Sequence, residues 1–163
     1  MARRKSKDPR VKLFTTNYDT CFEDAAGLLG ITVIDGFSFS MPRIYDARFF
    51  DMDIVRRNTT SSSTNIHYLE GVYQLYKLHG STNWSRDETS SYLIKQAENV
   101  KAEDSCMIFP AKGKYQQSYI QPHLELIARF SQSLREPNTC LIIAGFGFKY
   151  QLKSKHVFIT KTL

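Results

Sequence analysis

The sequence predicts an α/β fold in which an open parallel sheet carries flanking helices. Three observations predict it. Residues 11–34 read as strand, helix, strand; two later apolar runs, at 72–78 and 139–144, have the length and β-branched content of buried strands; and an amphipathic helix precedes the second of them. A compact strand–helix–strand unit is the building block of parallel sheets.

Residues 1–10 form a basic leader. Val11 to Thr16 follows as a short apolar and β-branched strand that stops at Asn17-Tyr18-Asp19. From Thr20 to Leu29, Phe22, Ala25, Ala26 and Leu29 recur at helical spacing, with Asp19 as N-cap and Gly30 as the residue that ends the helix. Ile31 to Ile34 is the next strand. Residues 38–66 read as irregular, with Pro42 and the Thr/Ser run at 59–64 marking a loop. Val72 to Leu78 is a second strand of the sheet and ends at His79-Gly80-Ser81-Thr82-Asn83-Trp84. The polar stretch from Ser85 to Asp104 reads as an insertion or lid, and Met107-Ile108-Phe109 as a third short strand. Pro122 to Arg135 is the amphipathic helix, with Leu124, Ile127, Ala128, Phe130, Ser131 and Leu134 as its expected buried stripe. Thr139 to Ala144 reads as the most buried strand of the chain and runs into Gly145-Phe146-Gly147-Phe148.

Charge and composition narrow the function classes. The 163 residues carry a net charge of +6, the signature of a nucleic-acid binder if it were spread over one face. It is not spread: residues 1–12 carry +5, residues 149–163 carry +4, and the span between them is mildly acidic. Nucleic acid is therefore not the expected partner. The longest apolar stretch, Cys140 to Phe148, is far shorter than the ~20 residues of a membrane helix, and no apolar run follows the basic leader as in a secretory signal. Cys21, Cys106 and Cys140 are scattered, which suits neither a zinc ribbon nor a disulfide framework and points to a cytoplasmic protein. The four histidines show no ligand spacing with acids or cysteines, so no metal is expected.

The chemistry-bearing residues fall at strand ends. Asn17-Tyr18-Asp19, His79-Gly80-Ser81 and Gly145-Phe146-Gly147 each follow an apolar strand directly. If those strands are parallel, all three lie at the carboxyl edge of the sheet, where open α/β sheets bind ligands. Singly, each has a plainer reading: an Asx-turn or helix cap for Asn17 and Asp19, a hydrogen-bonded turn for His79, an ordinary glycine turn for 145–147. Together they would supply an amide, a carboxylate, an imidazole and a closely approachable backbone to a polar, nucleotide-like ligand.

Thr15-Thr16-Asn17-Tyr18-Asp19, Lys77-Leu78-His79-Gly80-Ser81 with Asn83-Trp84, and Ile142-Ile143-Ala144-Gly145-Phe146-Gly147-Phe148, in this order, resemble the sirtuin-like domains of bacterial antiphage defence proteins. The resemblance runs from about residue 8 to residue 149. The first motif is similar to the sirtuin T-Q-N-I-D segment, the second to the H-G that carries a catalytic histidine, the third to the last strand end that contacts NAD. The resemblance implies a Rossmann-like NAD-binding fold over residues 11–149 and hydrolysis of NAD to nicotinamide and ADP-ribose. It implies Asn17 and His79 as catalytic residues, and Thr16, Asp19, Gly145, Phe146 and Gly147 as residues that bind NAD. It leaves open whether the partner is another copy of the chain or a second protein of the defence system. The four-cysteine zinc module of deacetylating sirtuins is missing, which fits the hydrolase branch. Two departures stand out. Residues 1–12 hold no glycine, so the phosphate-cradling strand–turn–helix is expected to be absent and the sheet incomplete at its N-terminal side. Residues 150–163 read as a divergent basic tail. These departures support an alternative, a catalytically inactive truncated remnant acting as an interaction module.

Overall fold

The computed structural model describes residues 9–57, 66–87, 90, 93–108, 120–145 and 157–162, of which 57, 66 and the last six are described through their backbone. The chain order is β1 (Val11–Thr15), α1 (Cys21–Leu28), β2 (Thr32–Ile34), a 3-10 turn (Ala47–Asp51), β3 (Val55–Arg57), β4 (Ile66–Tyr68), β5 (Val72–Lys77), β6 (Gly80–Arg86), β7 (Ile94–Gln96), β8 (Ser105–Met107), α2 (His123–Ser133), β9 (Thr139–Ala144) and β10 (Val157–Thr162).

Strand β1 is the centre of a five-stranded sheet of order β2-β5-β1-β10-β9. It pairs in parallel with β5, which pairs in parallel with β2. On its other side β10 runs antiparallel to both β1 and β9, with Val157 opposite Thr15 and also opposite Ala144. Two reversals restore direction, so β9 runs with β1. The carboxyl ends of β1, β2, β5 and β9 therefore share one edge, and the fold is the open α/β sheet with flanking helices that the sequence predicts.

The two faces are packed differently. Alternation along β1 and β5 sends Leu13, Tyr73 and Leu75 to α1, where they meet the buried Ala26 and the half-buried Phe22. The opposite face holds an aromatic stack: the Tyr76 ring lies 4.5 Å from Phe14 and 4.1 Å from Phe50, and Phe130 of α2 meets Phe14 edge-on at 4.9 Å. Phe14 is fully buried, a contribution of about 1.5–3 kcal/mol by itself. Gly30 ends α1 in a Schellman arrangement: its φ is +64°, its N–H donates to Gly27 O, and Ile31 N–H donates to Ala26 O.

Several expectations are corrected. Thr20, not Asp19, is the N-cap of α1; the Asp19 carboxylate instead accepts the Cys21 N–H at 3.3 Å in an Asx-turn. Gly80 to Arg86 is strand, not loop, and joins β7 and β8 in an antiparallel three-stranded sheet. The expected third strand thus belongs to that small sheet as Ser105–Met107, and Phe109 lies outside the described residues. The root of the expected lid is core: Trp84 is buried against Phe37 and Tyr45. Helix α2 buries His123, Leu126 and Ser133, with Phe130 half-buried, whereas Leu124 and Leu134 are exposed. Strand β9, expected to be the most buried, is an exposed edge, with Leu141, Ile142 and Ile143 at 36%, 55% and 44%. The difference is one of cover: no described element packs over it or pairs with its outer side.

Candidate functional site

The turn after β1 and the turn after β5 are tied into one piece. Thr15 Oγ1 accepts the Asn17 N–H at 3.0 Å, which bends the chain out of the strand, and Thr15 O accepts the Leu78 N–H at 2.9 Å, which continues the β1–β5 ladder to its last rung. Beyond that rung the Tyr18 carbonyl accepts from Thr82 N–H (2.9 Å), Ser81 Oγ (3.1 Å) and Thr82 Oγ1 (3.2 Å). The Tyr18 hydroxyl donates to Ile108 O at 2.6 Å, and the Tyr18 ring centre stands 6.3 Å from that of His79. Burial raises the Tyr18 phenol above its ordinary value.

Lys77 is the centre of this knot. It is the last residue of β5, its side chain is 2% exposed, and it points to the α1 face. Its ammonium donates to Ser81 Oγ at 2.7 Å, to Glu23 Oε1 at 3.1 Å, to Tyr18 O at 3.4 Å and to the Asp19 carbonyl. A buried cation requires such partners. Glu23 answers its charge, and burial raises the Glu23 carboxyl above its usual range although Lys77 pulls the other way. The Ser81 hydroxyl is fully buried and engaged on both sides, by Lys77 and Tyr18, so its role is to hold the turn.

The backbone around His79 has little freedom. Ile108 N–H donates to His79 O at 2.9 Å. Gly80 has φ +84°, and a Cβ placed there would come within 2.0 Å of the Cys106 carbonyl, so only glycine fits. His123 Nδ1 lies 3.2 Å from Leu78 O, and its Nε2 lies 3.9 Å from Cys106 Sγ. Burial lowers the His123 imidazole to about 4 and raises the Cys106 thiol to about 11.

Asn17 supplies the open valence. Its Oδ1 is buried and has no hydrogen-bond partner, although buried polar atoms are nearly always paired. An acceptor held this way fits a ligand hydroxyl or a water.

Of the residues singled out in the sequence, Thr16, Asn17, Asp19 and His79 gather at the two joined turns. Gly145 is at the same edge with φ +72°, but β10 stands between β9 and β1, which sets it roughly 10 Å aside. Phe146 and Gly147 lie outside the described residues. Among the described residues no three His, Cys, Asp or Glu side chains cluster as metal ligands would, and no helix is long and apolar enough to cross a membrane. Sequence reading missed Lys77, His123 and Cys106. A lysine at the inward-facing end of an apolar strand was the available signal for the first; nothing local marked the other two.

A cleft of about 340 Å³ lies elsewhere, toward the start of β1, between α2 and residues 50–53. Its cations are already neutralised: Arg10 pairs with Asp53, Lys12 with Glu136 and Arg129 with Asp51.

No curated protein matches the chain. The family model of the SIR2-like domain matches residues 11–153, from the first residue of β1 to beyond the Gly145 turn. SIR2-like domains bind NAD, and the joined Asn17 and His79 turns stand at the sheet edge where such a fold takes its nucleotide. The chain belongs to the SIR2-like domain family.

Proposed function

We propose that the protein is an NAD hydrolase of a bacterial antiphage defence system, cleaving NAD to nicotinamide and ADP-ribose with Asn17 and His79. The observation that carries this reading is the buried, unpaired Asn17 Oδ1 beside the turn that bears His79. Nicotinamide is a good leaving group, and cleavage passes through an oxocarbenium-like ribose, so the protein's task is to orient the ribose and a water and to take one proton. The C1′–N bond breaks with its electron pair going to nicotinamide, a water oxygen bonds to C1′, and the water's proton passes to His79. Asn17 Oδ1 accepts from a ribose hydroxyl or from that water. Thr16 and Asp19 border the nicotinamide side, with the Asp19 carboxylate fixing the turn through Cys21 N–H. Gly145, with Phe146 and Gly147 after it, runs beside the adenosine half.

The deciding assay is nicotinamide release by the purified chain. Asn17→Ala and His79→Ala are expected to lower it by about 100-fold or more, the size of a lost general base or positioning group. A folded wild-type chain without turnover, or variants equal to it, overturns the reading.

A second reading, an inactive remnant that works through protein contacts, is favoured by β10, which holds the Gly145 turn away from the Asn17 turn. Calorimetry with NAD separates the two. A folded chain that takes up no NAD fits the second.

A further inference from the structure

We infer that His123, backed by Cys106, is a positioning residue for His79: from α2 its ring holds the peptide that aims the His79 imidazole. The inference rests on the role proposed for His79.

Among the described residues, three hydrogen bonds at Leu78 and His79 hold this segment. Leu78 N–H to Thr15 O and Ile108 N–H to His79 O, both 2.9 Å, run between backbones. The third, at Leu78 O, comes from the His123 side chain at 3.2 Å. A carbonyl can only accept, so Nδ1 carries the proton. In the neutral ring Nε2 is then an acceptor, and the group facing it is the Cys106 thiol at 3.9 Å. The order is S–H to Nε2, Nδ1–H to O=C. Burial keeps it, because it disfavours both the thiolate and the imidazolium around neutral pH. His123 is 2% exposed and Cys106 fully buried, which shields these bonds from bulk solvent. The Cys106 carbonyl also occupies the space that a Cβ at Gly80, the residue after His79, would need. One strand and one helix outside the main sheet thus brace both sides of His79. Without the Nδ1–H bond the Leu78–His79 peptide loses the anchor at its carbonyl and can shift, and a displaced base loses rate more than affinity.

The test compares His123→Leu, which removes the donor, with His123→Asn, whose amide N–H sits close to where Nδ1 sits. Nicotinamide release by His123→Leu should show kcat about tenfold down, the size of one lost hydrogen bond, with KM for NAD within about twofold. His123→Asn should return kcat to within about threefold of wild type. The imidazole nitrogen signals of His79 in NMR should move in His123→Leu and return in His123→Asn. Unaltered kcat and His79 signals in a folded His123→Leu chain overturn the inference, as does a His123→Asn chain no better than it. If wild type releases no nicotinamide, the hydrolase reading falls and the His79 signals alone decide. If His123→Leu does not fold, Cys106→Ala takes its place: His79 signals and kcat identical to wild type overturn the inference, and a shift with about threefold lower kcat supports it.

Discussion

Lys77 holds together what the sequence keeps 58 and 59 residues apart. Its ammonium touches the Tyr18 and Asp19 carbonyls, the Ser81 hydroxyl and the Glu23 carboxylate together. Lys77→Met keeps the stem and deletes the charge, leaving Glu23 and two carbonyls without it. Removing one member of a buried pair typically costs about 3–5 kcal/mol, read as a fall in the urea midpoint at constant slope. Glu23→Gln added to Lys77→Met should recover part of that loss, about 0.5–3 kcal/mol of coupling, because the orphaned carboxylate is then gone. His123 gives the same scale a pH signature. Its neighbours are Leu78 O, the Cys106 thiol, Arg86 and His79, and burial holds the folded imidazole down at about 4 against 6.5 unfolded. Between those values the unfolded chain binds the extra proton, so stability rises with pH there. The contribution is complete above pH 6.5 and is lost as pH falls toward 4, up to about 3 kcal/mol. Subtracting the pH–stability curve of His123→Asn from that of wild type should isolate this slope; parallel curves would contradict it.

At the scale of elements, helix α2 shows why a periodic pattern can be real and its face still misread. Leu124, Ile127, Ala128, Phe130, Ser131 and Leu134 make a convincing stripe, and Phe130 does pack against the core, yet the buried positions are His123, Leu126 and Ser133. Two of those are polar, and each has a specific reason to be inside: His123 reaches Leu78 O, and Ser133 Oγ accepts from Lys12 and donates to Arg129 O. No hydropathy scale carries that information. Leu126→Ala should therefore cost about 2–5 kcal/mol in chemical denaturation, and Leu124→Ala within about 0.5. Equal costs would restore the stripe drawn from the sequence. The strands β1, β5 and β9, their shared direction and the Gly30 stop of α1 were all legible, because β-branched runs and glycine carry local physics. The burial of β9 was not, since it depends on what covers a strand. The strand character of Gly80 to Arg86 was hidden by its polar composition, Gly-Ser-Thr-Asn-Trp-Ser-Arg. In the site, the turns bearing Asn17 and His79 could be placed at one edge from strand order. The residues that lock them, Lys77, Cys106 and His123, act across distances in sequence that no motif spans.

For the molecule as a whole, the three cysteines report on integrity. Cys21 and Cys140 are exposed, while Cys106 is buried and its thiol pushed up to about 11. A thiol reagent at pH 8 should consume two equivalents quickly and the third only at the rate of opening or unfolding. Three fast equivalents would mean that the small sheet behind His79 opens independently of the rest. The charge excess that first suggested a nucleic-acid partner sits in residues 1–12 and 149–163. Within those spans Arg10 and Lys12 are already committed to Asp53 and Glu136.

Strand β10 also sets a clock. It lies between β1 and β9, and the pairing Lys12↔Thr160 joins residues 148 apart. The parallel β1–β5 pair can form once residue 77 is available, but the other side of β1 stays open until residues 157–162 arrive. A nascent chain stalled on the ribosome anywhere between these points carries an unmated central strand, joined after residue 144 by an equally unmated β9. Non-local closure of this kind is slow and exposes pairing edges while it waits. Synthesis of this protein thus passes through an interval in which its future sheet interior is surface, and chaperone dependence should peak there.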